Sequence, residues 1–101
     1  MLESQGFEIV ERNWRTRGGE IDVIARRGGL LVFAEVKSRT SIAFGEPEES
    51  VTASKARRIR ALAADYLRTS DTHGEVRFDV IAVMMEASGN VREIRHIPDA
   101  F

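Results

Sequence analysis

Gly18-Gly19-Glu20-Ile21-Asp22-Val23-Ile24-Ala25, followed by Leu30-Leu31-Val32-Phe33-Ala34-Glu35-Val36-Lys37, carries the most unusual polar residues in the chain. The two runs predict strands joined across the glycine pair Gly28-Gly29. Asp22, Glu35 and Lys37 interrupt segments that are otherwise apolar. A charge in a buried strand costs several kcal/mol, roughly, unless it is paired or binds an ion. The role of these three charges therefore decides what the chain can do.

Side chains alternate along a strand with a period of two. Over 20–27 this predicts Ile21, Val23 and Ala25 on one face and Glu20, Asp22 and Ile24 on the other. Over 30–38 it predicts Leu31, Phe33, Glu35 and Lys37 together, opposite Leu30, Val32, Ala34 and Val36. Apolar residues on both faces mark 30–38 as a central strand covered on both sides. The hairpin signal Arg26-Arg27-Gly28-Gly29 then allows Asp22 and Glu35 to be neighbours on one sheet face. Two carboxylates ~4 Å apart repel by roughly 4 kcal/mol at an effective dielectric near 20. A proton, a lysine or a divalent cation can offset that repulsion. Lys37 supplies one positive charge. Mg²⁺ (or Mn²⁺) supplies two and takes one or two carboxylates together with water and phosphate oxygens. Such an ion lowers the pKa of bound water and neutralises charge on a phosphate oxygen. A lysine beside it positions the attacking water or stabilises developing charge. The chemistry implied is metal-assisted phosphodiester hydrolysis. Ion pairs closing the strand ends would account for the same spacing without any catalysis.

Upstream, residues 1–5 have the pattern of a final helical turn, with Gly6 at the stop position. A helix does not begin one turn before its end, so a preceding amphipathic segment is expected to be missing. Residues 7–15 suit a strand at or near a sheet edge, with Trp14 as a packing residue. Downstream, 39–51 has no regular period. From Thr52, a suitable N-cap, the period becomes helical: Ile59, Leu62, Ala63, Tyr66 and Leu67 form one stripe of a helix over 53–69. A polar turn over 70–74 leads to a strand over 75–85 that is apolar on both faces. Ser88-Gly89-Asn90 leads to a last strand near 91–97, ended by Pro98, with Phe101 packing back onto the core. An antiparallel meander, a helical crossover and a further buried strand predict a single α/β domain over 1–101, with a mixed sheet and helices on both faces.

Composition narrows the function classes. The chain has 101 residues, 43% hydrophobic and 31% charged, which suits one globular domain with a modest core. It has no cysteine, so disulfides, Cys-ligated zinc and cysteine nucleophiles are excluded. No apolar run reaches the ~18 residues of a membrane span and the N-terminus is not a signal peptide, so a cytoplasmic protein without membrane attachment is expected. The net charge of −1 makes no global case for nucleic acid, but the cations cluster. Lys55, Arg57, Arg58 and Arg60 crowd the N-terminal half of the predicted helix, where the macrodipole disfavours them unless an anion such as backbone phosphate is near. At 100° per residue Lys55 falls on the sheet side with Ile59 and Tyr66, while Arg57 and Arg60 point outward. A solvated basic face balanced by Glu46, Glu48 and Glu49 is the plainer account. His73 is expected in a solvated turn, and His96 and Asp79 in hydrogen-bonding or structural roles.

Gly19-Glu20-Ile21-Asp22-Val23-Ile24-Ala25 and Val32-Phe33-Ala34-Glu35-Val36-Lys37-Ser38-Arg39 resemble the YraN family of uncharacterised bacterial proteins. So do Phe44-Gly45-Glu46-Pro47-Glu48-Glu49-Ser50-Val51-Thr52 with Lys55, Arg77-Phe78-Asp79-Val80, and His96-Ile97-Pro98-Asp99-Ala100-Phe101. The family is placed in the PD-(D/E)XK nuclease superfamily, near archaeal Holliday-junction resolvases. The resemblance implies a restriction-endonuclease-like, three-layer αβα fold with a mixed central sheet of about five strands. It implies a metal-dependent nuclease acting on branched or otherwise structured DNA. Asp22 takes the motif aspartate, Glu35 the acidic position and Lys37 the catalytic lysine, with Glu20 as a possible further site residue and Asp22 and Glu35 holding Mg²⁺. Lys55, Arg58 and Arg57 are the expected nucleic-acid contacts. Relatives begin with a helix whose Gly-Glu motif can supply a further ligand, and only its tail is present in this chain. A non-catalytic nucleic-acid-binding or adaptor module that keeps the fold is the alternative.

Overall fold

A computed structural model describes residues 2–39, 52–70 and 74–101. The irregular segment expected at 39–51 falls, from residue 40 on, outside the described residues, as does His73. A 3-10 turn, Glu3–Gln5, is followed by β1 (Glu8–Thr16), β2 (Gly19–Arg27), β3 (Leu30–Arg39), α1 (Ala53–Thr69), β4 (Glu75–Met85) and β5 (Val91–Ile97). The strands form one sheet in the order β1-β2-β3-β4-β5. All neighbours are antiparallel except β3 and β4, which run parallel across the α1 crossover. The protein is thus α/β with a mixed five-stranded sheet, an arrangement compatible with the restriction-endonuclease-like fold. One face is covered by α1; of the expected second helical layer, the described residues contain the 3-10 turn. No helix among the described residues is long and apolar enough to cross a membrane.

The predicted caps act as expected. Thr52 has an extended backbone and its hydroxyl accepts from the Lys55 N–H at 3.2 Å, closing the first turn of α1. Gly6 ends the 3-10 turn in the left-handed conformation, φ 87°, with its N–H donating to the Glu3 carbonyl.

The helix stripe Ile59, Leu62, Ala63 and Tyr66 buries against Ile21, Ile24, Leu31, Phe33 and Phe78 of the sheet. Each large apolar side chain in it contributes roughly 1.5–3 kcal/mol by leaving water. Tyr66 meets both Trp14 and Phe33 edge to face, with centroids 5.4 and 5.8 Å apart. Trp14 therefore packs as expected, and Phe101 joins the same cluster. On the other face Leu2 and Phe7 cover Ala25, Val32, Ala34 and Ile81. One expectation from alternation fails: Ile21 lies with Ile24 on the helix side, rather than with Val23 and Ala25. The change of side falls where β2 has left β3 but keeps its pairing with β1, opposite Asn13, whose φ of 53° departs from extended backbone.

Asp79 is the one fully buried charged residue among the described residues. Its carboxylate accepts from Arg77 Nε at 2.9 Å and Nη2 at 2.8 Å, and from the Asp99 N–H at 3.0 Å. His96 Nε2 lies 2.6 Å from Asp79 Oδ2, and the Gln5 amide nitrogen lies 3.0 Å from His96 Nδ1. With the amide donating to Nδ1, the ring proton sits on Nε2 and points at Asp79. The network ties the N-terminal turn and the C-terminal tail to β4. Burial alone would push the Asp79 carboxyl up, but its hydrogen bonds from Arg77, His96 and Asp99 outweigh that and hold it below its ordinary value of 3.8. The hydrogen bond to Asp79 raises Arg77 in turn. Asp79 and His96 thus hold the structural and hydrogen-bonding roles expected from sequence.

Two tests follow from this packing. Gly74 has φ +146°, and a Cβ there would stand 2.1 Å from the Gly29 carbonyl oxygen, which already accepts from the Glu75 N–H at 2.8 Å. Gly74→Ala is expected to cost about 2 kcal/mol or more, read as a lower urea midpoint; an unchanged midpoint would show the contact to be dispensable. Asp79→Asn is expected to cost roughly 3 kcal/mol at neutral pH, because Arg77 loses its paired carboxylate. A carboxyl held below its ordinary value adds stability that is complete above that value and is lost as pH falls through the folded one. Urea midpoints should therefore converge for wild type and Asp79→Asn as the solution is acidified below about pH 4, and parallel curves would refute the assignment.

Candidate functional site

The site begins where the β2–β3 ladder ends. Beyond Val23 and Ala34, β3 continues to pair with β4 as far as Arg39 and Met84, while the start of β2 stays paired with β1. The first residues past the break are Asp22 and Glu35. A backbone N–H released from a ladder needs another acceptor, and the Val36 N–H donates to Asp22 Oδ2 at 2.7 Å. That bond fixes the Asp22 carboxylate beside Glu35 and leaves its second oxygen for other partners.

A cleft of about 240 Å³ opens at this break. Asp22, Glu35 and Glu20 line it from the strands, and Lys55 and Arg58 from α1. Ile21, Ile59 and Leu62 form its apolar walls. The helical period carries this arrangement: Lys55, Ile59 and Leu62 fall on one side of α1, with Arg58 at its margin. Among the described residues neither Lys55 nor Arg58 has an ion-pair partner, so three carboxylates, one of them paired with Arg15, share one opening with these two cations.

Lys37 lies next to Glu35, with Nζ 4.0 Å from Oε1, and only 10% of its side chain is exposed against 25% for Glu35. It is not one of the residues lining the cleft. Glu20 reaches the cleft but is also held by Arg15 at 3.1 Å. The hairpin register sets Arg15 opposite Glu20, so this pairing was open to inference from the Gly18-Gly19 turn. Arg57 is exposed and lies outside the lining. Arg60 is exposed, as its place on the helical wheel suggests, and also makes contacts that the wheel does not show. Its guanidinium lies 4.8 Å from the Phe78 ring centroid and donates to the Phe101 carbonyl at 2.8 Å, fastening the C-terminus. His96 serves Asp79 on the opposite face of the sheet.

Among the described residues no three His, Asp or Glu side chains converge as a metal cage. The donor set on offer is Asp22 and Glu35, two hard carboxylates at an opening wide enough for water. That set fits Mg²⁺ completed by water and phosphate oxygens better than an ion needing a full set of protein ligands.

The comparisons with known proteins agree with one another. The family model described as "Uncharacterised protein family UPF0102" matches residues 1–83. A UPF0102 protein of Rhodococcus jostii is 52% identical over 101 residues, covering 99% of this chain and 85% of the relative. One from Beutenbergia cavernae is 52% identical over 97 residues, covering 95% and 81%. One from Dictyoglomus turgidum is 41% identical over 101 residues, covering 99% and 86%. The chain belongs to the UPF0102 family, also known as YraN.

Proposed function

We propose that this protein is a metal-dependent nuclease that hydrolyses phosphodiester bonds in structured or branched DNA. The observation that carries the reading is the single cleft in which Asp22 and Glu35 face Lys55 and Arg58. A phosphate entering it meets cations from α1 on one side and the carboxylates on the other. Mg²⁺ held by Asp22 and Glu35 would supply charge neutralisation and an activated water there. Lys55 and Arg58 hold the phosphate against the carboxylates, and Arg57 contacts the backbone beyond the opening. Lys37, kept largely from solvent beside Glu35, stabilises charge developing on the phosphate oxygens or orients the attacking water. The preference for branched DNA rests on the family resemblance.

A non-catalytic nucleic-acid-binding module is supported by a different observation. Asp22 already accepts from Val36, and Glu35 already lies beside Lys37, so part of the charge is answered within the protein.

Cleavage of junction, flap and single-stranded DNA with Mg²⁺ separates the two readings. For a nuclease, Lys37→Ala and Glu35→Ala are expected to lower kcat by roughly 10²–10³-fold. Lys55→Ala should mainly weaken DNA binding. Mg²⁺ should also raise the thermal midpoint of wild type and not that of Glu35→Ala, because an ion that binds only the folded state stabilises it. DNA binding without cleavage by wild type, together with a thermal midpoint indifferent to Mg²⁺, would establish the binding module instead.

A further inference from the structure

The sheet has two edges of different character. β1 is interrupted by a register shift between Ile9 and Glu11 and by Asn13 in the left-handed region, φ 53°, features that keep an edge from pairing with another chain, whereas the register shift of β5 lies at its start, between Val91 and Glu93, and leaves 93–97 regular. β5 is the other edge, and it carries the two most exposed large apolar side chains among the described residues, Val91 at 55% and Ile94 at 47%. Ile94 pairs with Val83, and a register shift past Met84 pairs Val91 with Met85. Both side chains therefore lie on the face opposite α1, near Val36, itself 40% exposed. A run of charges of one sign along an edge would repel a second copy, since like charges set opposite each other destabilise a strand pair. β5 instead reads Val91-Arg92-Glu93-Ile94-Arg95-His96-Ile97, with opposite signs flanking Ile94.

We propose that β5 pairs antiparallel with β5 of a second copy of this chain, about a two-fold axis at Ile94. In that register Glu93 lies opposite Arg95 of the partner subunit, and symmetry repeats the pair. Ile94 meets its own copy. Opposite charges set across a strand pair stabilise it, and like charges oppose it. The register is selected by the same charges. A slip of two residues, which keeps each side chain on its face, sets Glu93 against Glu93 in one direction and Arg95 against Arg95 in the other. The Glu93–Arg95 bridge within each strand, 3.0 Å, would join its symmetry mate in a four-charge ring. The interface is isologous, so it closes at two copies and joins two sheets edge to edge.

Charge reversal tests this directly by analytical ultracentrifugation over a concentration series. Wild type should show a concentration-dependent two-chain species. Glu93→Arg and Arg95→Glu should each weaken self-association by about tenfold or more, since each converts two attractive pairs into repulsive ones. An equimolar mixture of the two variants should regain association, because positions 93 and 95 are then both basic in one chain and both acidic in the chain it faces. Circular dichroism establishes that each variant is folded, and Ile94→Lys, which leaves the charged pairs in place, should also weaken association. A wild type that stays a single chain at every concentration overturns the proposal. So does undiminished association in the single variants, or a mixture that fails to recover.

Discussion

The hydrogen bond from the Val36 N–H to Asp22 is the constraint on which the cleft depends. Val36 sits where β3 leaves β2 while still pairing with β4, so its amide would otherwise face no ladder partner. A carboxylate takes that amide and is drawn to the break in doing so. Ile21, on the helix side of the sheet, is a wall of the cleft beside Ile59 and Leu62. Local backbone accounting thus places an acid, opens space next to it and lines that space with apolar side chains.

The two faces of the sheet treat carboxylates in opposite ways. Asp79 is fully buried and accepts from Arg77, His96 and a backbone amide, which satisfies the desolvation demand of a buried charge. Asp22 and Glu35 remain partly open to solvent and line the cleft together with Lys55 and Arg58, which have no ion-pair partner among the described residues. The first arrangement is closed and ties the chain ends to β4. The second lines an open cleft.

Much of this is legible in the sequence because it is set by local rules. The two glycine turns, the period of two in β2 and β3, the stripe from Ile59 to Leu67 and the Thr52 cap imply the element order and the mixed sheet. The family resemblance supplies the likeness to nuclease folds and the roles assigned to Asp22, Glu35 and Lys37. What escapes depends on contacts remote in sequence. Alternation assumes an unbroken pleat, so it misplaces Ile21, which lies past the end of the β2–β3 ladder and next to the irregularity opposite Asn13. The helical wheel correctly turns Arg60 outward but holds no information about its contacts with Phe78 and the returning Phe101. Charge alone marks Lys55 and Arg58 as nucleic-acid contacts; their position opposite Asp22 and Glu35 requires the crossover to be built.

That crossover has a consequence for how the cleft comes into being. Asp22 and Glu35 belong to one hairpin, and a hairpin closes over a short loop at little entropic cost. Lys55 and Arg58 reach the cleft only after α1 has swung across the sheet and β4 has docked beside β3, sealed where Gly74 meets Gly29. Such non-local pairing comes late, since the chain between must be ordered before the contact contributes. The acidic side of the cleft is thus fixed by neighbouring residues, and the basic side by the topology of the whole domain. Changes to the crossover can reposition the cations while leaving the carboxylates where they are.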